Sequence, residues 1–373
     1  MARNHPVRHW RTALHRAVAA AALSLALPGC TGTPPVAQQT AAADPMAAYL
    51  FAYFKGSGPE REKIYFAISE GNDALHWREL NGGRPVLEST KGTRGLRDPF
   101  LMRSAEGDRF FLLATDLSVA RTTWNAAVRQ GSHHLEIWES RDLIDWGEQR
   151  HVPVNLPNAG MTWAPEAIWD PSAGNYAVYW ASTLYTDGTR TQDDGNGPQM
   201  LLSTTRDFRS FTPPRPWIKS ADRAELQPGS ELIDSSVLFE DGQYHRFTKV
   251  AASGDCAVAD IMHDRSPSLA APAANWTLAD RCIGHDAGTT ELEGPSILKA
   301  NTGDRSGHRY ILFVDRFRDA GLIPLVTDSL SDDVEWRVPA DFALPPGARH
   351  GTALPITAAE RDALLARWGA PPK

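Results

Sequence analysis

The chain has 373 residues, of which 42% are hydrophobic and 22% charged, and its mean hydropathy of -0.36 is that of a folded soluble protein rather than a disordered or membrane-spanning one. A formal charge of -7 and a pI near 5.9 offer no basic face, so no nucleic-acid partner is expected. The 29 glycines and 27 prolines favour many turns over long helices, and the 12 tryptophans fit either repeated structural aromatics or sugar-stacking platforms.

Arg3, Arg8, Arg11 and Arg16 make a basic start, and an apolar run from Ala17 ends in Leu27-Pro28-Gly29-Cys30. This is the pattern of a secretory signal over residues 1–29, too short for a stable span. The small residue before Cys30 resembles the bacterial lipoprotein box. That resemblance implies an acylated Cys30, a membrane contact through an N-terminal lipid anchor, and a place at the bacterial cell envelope. An ordinary signal cleaved nearby, giving a secreted protein, is the alternative. Residues 30–45, rich in Thr, Pro, Ala and Gln, read as a flexible tether, and residues 46–373 as one domain. In an oxidising compartment the remaining pair, Cys256 and Cys282, is expected to form a disulfide within one repeat unit.

Self-similarity sets the architecture. Ser140-Arg141-Asp142-Leu143-Ile144-Asp145-Trp146 recurs as Thr205-Arg206-Asp207-Phe208-Arg209-Ser210-Phe211, and looser copies end in Trp77, Trp276 and Trp336. The closing aromatics are spaced 69, 65, 65 and 60 residues apart. Strand-like runs precede them at 49–54, 109–115, 176–182, 244–250 and 309–314. Another short strand opens before four of these runs, at Asp98-Pro99, Trp163-Ala164-Pro165-Glu166, Asp234-Ser235-Ser236 and Glu293-Gly294-Pro295. The first unit lacks that strand, and an orphan near His350-Gly351-Thr352 stands at the C-terminal end. The expected fold is an all-β, five-bladed β-propeller closed by pairing of the N- and C-terminal strands. A capping box at Thr357-Ala358-Ala359-Glu360 then opens a short helix running to Trp368.

In a propeller the innermost strand of each blade lines the central channel. Asp98, the 163–166 stretch, Asp234, Glu293 and His350 would therefore meet at one mouth, at equivalent places in their strands. Asp98 and Asp234 also suit simple turn openers. Their joint placement with Glu293 instead favours a catalytic site, because glycosidic hydrolysis needs two positioned carboxyl groups with opposed protonation states.

With those residues in view, the chain resembles glycoside hydrolase family 43 from about Tyr49 to Thr357, on Arg97-Asp98-Pro99, Trp163-Ala164-Pro165-Glu166, Asp234, Glu293-Gly294-Pro295 and Arg349-His350-Gly351. The resemblance implies an inverting hydrolase with Asp98 as general base, Asp234 as the residue that tunes pKa and orients substrate, and Glu293 as general acid. Glu293 is preferred to Glu291 because Gly294-Pro295 follows it directly. It also implies a calcium ion held in the channel by His350 and water; a buried, hydrogen-bonded histidine is the alternative. No cofactor is required for the chemistry itself. Trp163 suits sugar stacking or core packing, Glu166 a sugar hydroxyl or a plain strand position, and Arg316 a catalytic carboxylate, a sugar hydroxyl or a surface pair with Asp315 or Asp319. The run 193–197 reads as an exposed loop and His133-His134 as rim surface.

The expected activity is release of a pentose, foremost α-L-arabinofuranose, from plant-type polysaccharide or oligosaccharide by a monomeric, exo-acting enzyme. β-D-Xylosidase and exo-β-galactosidase activities are alternatives within the family. A surface carbohydrate-binding propeller without catalysis is the alternative of another class.

Overall fold

A computed structural model of the chain describes residues 44–251, 256, 259–332 and 334–369. The expected signal, Cys30 and the tether up to residue 43 lie outside the described residues. Five antiparallel sheets form the five blades. In chain order, β1 (Met46–Phe54), β2 (Tyr65–Ser69) and β3 (Trp77–Glu79) belong to the first. The second holds β4 (Leu96–Arg103), β5 (Phe110–Asp116), β6 (His134–Ser140) and β7 (Arg150–Pro153), with helix α1 (Trp124–Gln130) inserted between β5 and β6. The third holds β8 (Trp163–Asp170), β9 (Asn175–Tyr185), β10 (Asp193–Thr205) and β11 (Arg215–Ile218). The fourth holds β12 (Leu232–Glu240), β13 (Gln243–Ala251), β14 (Ala259–Ser266) and β15 (Thr277–Asp280), followed by the single turn α2 (Ile283–Asp286). The fifth holds β16 (Leu292–Lys299), β17 (Tyr310–Arg316) and β18 (Gly321–Thr327); its fourth strand is reduced to one bridge between Val326 and Arg337.

The last strand, β19 (Arg349–Thr357), pairs with β1 and becomes the innermost strand of the first blade, with Phe51 opposite Ala353. Chain ends are thus joined inside one sheet, which removes a free edge. Helix α3 (Ala358–Trp368) starts on the capping box at Thr357 and Glu360. Glu360 also takes two bonds from Arg103 of the second blade, at 2.7 and 2.8 Å, and Trp368 meets Phe66 of the first at 5.8 Å between rings. The helix therefore fastens the closing blade to its neighbour.

The repeated motif is the turn between the third and fourth strands. Asp142 Oδ1 accepts from the amides of Ile144 and Asp145, and Asp207 Oδ1 accepts in the same way from Arg209 and Ser210. Each turn drives one fully buried apolar residue inward, Leu143 (φ 66°) and Phe208 (φ 53°). The closing aromatics fill the seams between blades. Trp77 packs on Phe51 and Phe313, Trp146 on Phe66, Trp276 on Trp217, and Trp336 on Phe247. Most of the tryptophan content is thus core, distributed over five apolar clusters between adjacent blades.

The fourth blade carries the disulfide. Cys256, in the β13–β14 connection, is joined to Cys282, just after β15, with Cα atoms 5.4 Å apart. Two minor expectations differ. Residues 193–197 are not a loop but the irregular start of β10, and His134 lies not on the rim but half-buried in β6, stacked on His151 at 3.9 Å. No helix among the described residues is long and apolar enough to cross a membrane.

Candidate active site

Every inner strand is bulged at the same level. The ladder slips between Arg97 and Phe100 in β4, Trp163 and Glu166 in β8, Ile233 and Ser235 in β12, and Glu293 and Ser296 in β16. In β19 His350 is the extra residue, opposite the junction of Tyr53 and Phe54. Four of the bulged residues have positive φ: Asp98 (50°), Ala164 (47°), Asp234 (53°) and Gly294 (56°). A bulge leaves one residue out of the ladder and re-aims its side chain. The unpaired backbone also tolerates proline, which has no N–H, and this accounts for Pro99, Pro165 and Pro295 directly after the bulge.

The expectation of equivalent carboxylate positions is corrected by this alignment. Asp98 and Asp234 occupy the bulge itself, whereas Glu293 stands one residue before it and Glu166 two residues after. The acidic groups approach the axis from different heights. Gly294 fills the place of a third aspartate because the His350 ring lies against it: a Cβ there would come within 2.5 Å of His350 Cγ.

Hydrogen bonds tie these residues into one network. The Thr115 hydroxyl donates to Asp98 Oδ2 at 2.9 Å and accepts from the Ala164 amide at 2.8 Å. His350 Nδ1 faces Asp98 Oδ1 at 3.6 Å. Asp234 Oδ2 accepts from the Gly294 amide at 3.1 Å, and Glu166 Oε2 accepts from the Tyr179 hydroxyl at 3.3 Å. Environment then separates the carboxyls. Burial pushes Asp98 up, but the His350 imidazole, Arg97 and Thr115 more than offset it and hold Asp98 below the usual range. Burial pushes Glu293 up to about 8, with Asp234 as the next cause, and Glu166 also up to about 8. Asp234 is likewise raised by burial and by Asp98. Burial opposes a charge on His350, yet Asp98, Asp234 and Glu166 carry it up to about 9, so the ring is an imidazolium at neutral pH.

A channel that keeps one carboxyl ionised opposite another that stays protonated is suited to acid–base hydrolysis. A family model related to glycoside hydrolase family 43, described as a probable glycosyl hydrolase domain, matches residues 44–362. The chain belongs to this family. An α-L-arabinofuranosidase of Bifidobacterium longum subsp. longum is 34% identical over 304 residues, 73% of this chain and 27% of that protein. A β-xylosidase of Formosa agariphila is 30% identical over 116 residues, 30% of this chain and 17% of its own length. The chain thus spans about a quarter or less of the length of these curated relatives. Among solved structures, an α-L-arabinanase of Cellvibrio cellulosa, complexed with arabinohexaose, shares the fold at a TM-score of 0.52 and 14% identity, over 80% of this chain and 94% of that one.

Of the alternatives for Arg316, the structure shows the pair with Asp319. Half-buried Arg316 meets it at 2.8 Å, because its strand ends there and the turn to β18 brings Asp319 back beside it. The arginine that reaches a carboxylate beside the site is Arg349, whose Nε donates to Asp315 Oδ2 at 2.6 Å. Asp315 pairs with Glu293 across the β16–β17 ladder and accepts from the His350 amide at 3.3 Å. Lys249, opposite Ile233, was also unforeseen. Burial works against its charge, but Glu231, Asp234 and Glu293 together hold it above its ordinary value. Glu291 is engaged by Arg318 at 3.1 Å. Trp163 is half-buried, its ring edge-on to Trp124 at 6.1 Å.

Calcium takes six to eight oxygen ligands, and the protein groups around His350 would leave most of that shell to water. His350 Nδ1 is directed at Asp98, and Asp98, Asp234 and Glu166 already have protein donors. Among the described residues, the group of three His, Asp or Glu ligand atoms that lies within 4.8 Å is elsewhere, at Asp116, Glu136 and His151. The Asp116, Glu136 and His151 set is itself spoken for, by Thr93 and Gln149.

Proposed function

We propose that the chain is an exo-acting, inverting glycoside hydrolase that releases α-L-arabinofuranose from plant-type polysaccharide or oligosaccharide. The observation that carries this reading is the placing of Asp98 against Thr115 and His350, which favours its ionised form, while buried Glu293 lies beside Asp234, which favours its protonated form. Asp98 accepts a proton from a water that attacks the anomeric carbon, while Glu293 gives its proton to the departing oxygen. The sugar leaves with inverted configuration, and the two carboxyls regain their states by exchanging one proton with solvent. Burial keeps that acid protonated, and Asp234, resting on the amide after Glu293, adds to the effect. A purely carbohydrate-binding propeller has no use for such a division of protonation states.

The choice of arabinofuranose is supported by the name of the Bifidobacterium relative, and the Formosa match favours β-D-xyloside as a second reading. The proposal includes export and anchoring through an acylated Cys30, which suits a polymer too large to cross a membrane. The Cys256–Cys282 disulfide supports an oxidising compartment. A panel of aryl α-L-arabinofuranoside, β-D-xyloside and β-D-galactoside tests the substrate, with the arabinofuranoside expected to be turned over fastest. Glu293→Gln is expected to lower kcat by about 10²- to 10⁴-fold with an unchanged circular dichroism spectrum. Undiminished turnover by that variant would refute the acid assignment.

A further inference from the structure

Among the described residues, connections from second to third strands border the mouth of the channel at 55–64, 117–133, 186–192 and 317–320. The second is the longest and carries α1. Its first helical residue, Trp124, is 50% exposed, the highest value among the exposed large hydrophobic residues of the described chain. An indole left half in water at a carbohydrate site is unusual unless it has a task, since tryptophan gains most from burial.

This tryptophan is held in place. Thr123 caps the helix through the Ala126 amide at 3.2 Å. At the other end Gly131 donates to the Gly160 carbonyl at 2.7 Å, and Arg190 donates to the carbonyls of Arg129 and Pro157 at 2.9 and 3.0 Å. The segment leading into α1 is pinned by buried Glu62, which accepts from Ser118 Oγ and the Val119 amide at 2.8 Å each and faces Arg97 at 3.4 Å. The indole itself ends a row of alternating contacts. The Arg97 guanidinium lies 4.6 Å from the Phe54 ring and 5.3 Å from that of Trp124, and Trp163 meets Trp124 at an interplanar angle of 79°. Arg97 precedes Asp98 in the chain, and Trp163 precedes the Ala164 amide that fixes Thr115 onto Asp98.

We infer that Trp124 is a stacking shelf on the lip of the pocket, and that it binds the part of the glycan chain remaining outside the pocket while the terminal sugar is cleaved within. A sugar ring presents a face of C–H groups, and an exposed indole anchored by a guanidinium matches it by dispersion and burial. The buried axial residues hold the sugar to be released. Trp124, on an insertion outside the ring of inner strands, reaches only what protrudes. This inference rests on the glycosidase reading.

The test compares the parent, Trp124→Ala and Trp124→Phe on two substrates with the same terminal sugar: an oligosaccharide bearing an α-L-arabinofuranosyl unit, and methyl α-L-arabinofuranoside, whose leaving group has no ring. For Trp124→Ala the ratio of kcat/KM on the oligosaccharide to that on the methyl glycoside should fall about tenfold, mainly through KM, the scale of one aromatic stacking contact. Trp124→Phe should recover most of it. An equal fall on both substrates makes Trp124 a mere support for Trp163 and Arg97 and overturns the inference, as does no fall on either. If the parent hydrolyses neither substrate, the arabinofuranoside reading fails. Titration calorimetry with the oligosaccharide then decides the shelf alone: a Kd weakened about tenfold by Trp124→Ala sustains it, and an unchanged Kd refutes it.

Discussion

The alkaline limb of the pH profile isolates the cause of Glu293's protonation. A carboxyl titrating near 8 is about nine-tenths protonated at pH 7, whereas at the ordinary value of 4.5 only about one in 300 would be. Catalysis that needs the protonated form is therefore fully present below that pKa and lost as pH rises through it. Two neighbouring charges act on it in opposite senses: Asp234 raises it and Lys249 lowers it. The Asp234 carboxylate rests on the amide that follows Glu293, so it acts across less than ~10 Å. A unit charge at that range and an effective dielectric of about 20 is worth roughly 1.7 kcal/mol, just over one pH unit. Asp234→Asn should move the alkaline limb down by about one unit, and Lys249→Met should move it up by a similar amount. The measurement is kcat/KM on an aryl arabinofuranoside from about pH 4 to 10, which reports the free enzyme's groups. Limbs that stay in place, or that move in the same direction in both variants, would refute the electrostatic account even if both variants lose turnover.

Two further outcomes follow from contacts away from Glu293. Asp264 takes Arg246 at 3.0 and 2.7 Å and Arg223 at 3.2 Å, with Arg246 fully buried against Trp276 and Trp217; Arg223 keeps Glu225 at 2.7 Å, so Asp264→Ala strands the Arg246 guanidinium and should cost about 3–5 kcal/mol in urea unfolding; a loss under about 1 kcal/mol would contradict this. Gly294→Ala combines a φ of 56° with a Cβ pressed onto His350, so it should displace the imidazolium and move the acid limb of the profile upward as Asp98 loses its partner; an unmoved acid limb would mean that His350 does not set the Asp98 titration.

The blade architecture was legible because it is written in local turn chemistry. Ser140 with Asp142, and Thr205 with Asp207, form the same side-chain-to-amide turn wherever they occur, and a repeat of such turns cannot be hidden by context. The inner strands were legible through Asp-Pro, Ala-Pro and Gly-Pro, since proline marks the unpaired bulge. The heights of the carboxyls were not, because a bulge breaks the alternation from which facing is read, and Glu293 fell one residue from its expected level. Arg349 was quoted only as part of a motif, while Arg316 looked better placed. What decides between them is that β17 ends at Arg316, whereas Arg349 opens β19 beside Asp315. Lys249 lay inside the run 244–250 and was read as strand content; a lysine among apolar residues was the available signal. Trp124 belongs to no repeat, yet Thr123 and Gly131 bracket a short helix that the capping rules make readable.

The charge balance of the channel explains why its protons are distributed as they are. Among the described residues five carboxyls gather around it, those of Asp98, Glu166, Asp234, Glu293 and Asp315, and three cations answer them, His350, Lys249 and Arg349. Arg97 is matched separately by buried Glu62. Lys249 is also paired with Glu231, so carboxyls outnumber cations in this buried site, and each uncompensated charge costs several kcal/mol. Glu166 and Glu293, both pushed up to about 8, take up protons at neutral pH and reduce that excess. The acid function of Glu293 thus needs no special device of its own. It is the least costly way to neutralise a channel whose cations are fixed in number, with Glu166 sharing the role deeper in the third blade. Supplying a further cation should therefore release one of the two protons, and removing one, as in Lys249→Met, should retain Glu293's proton to higher pH, which is the direction argued above.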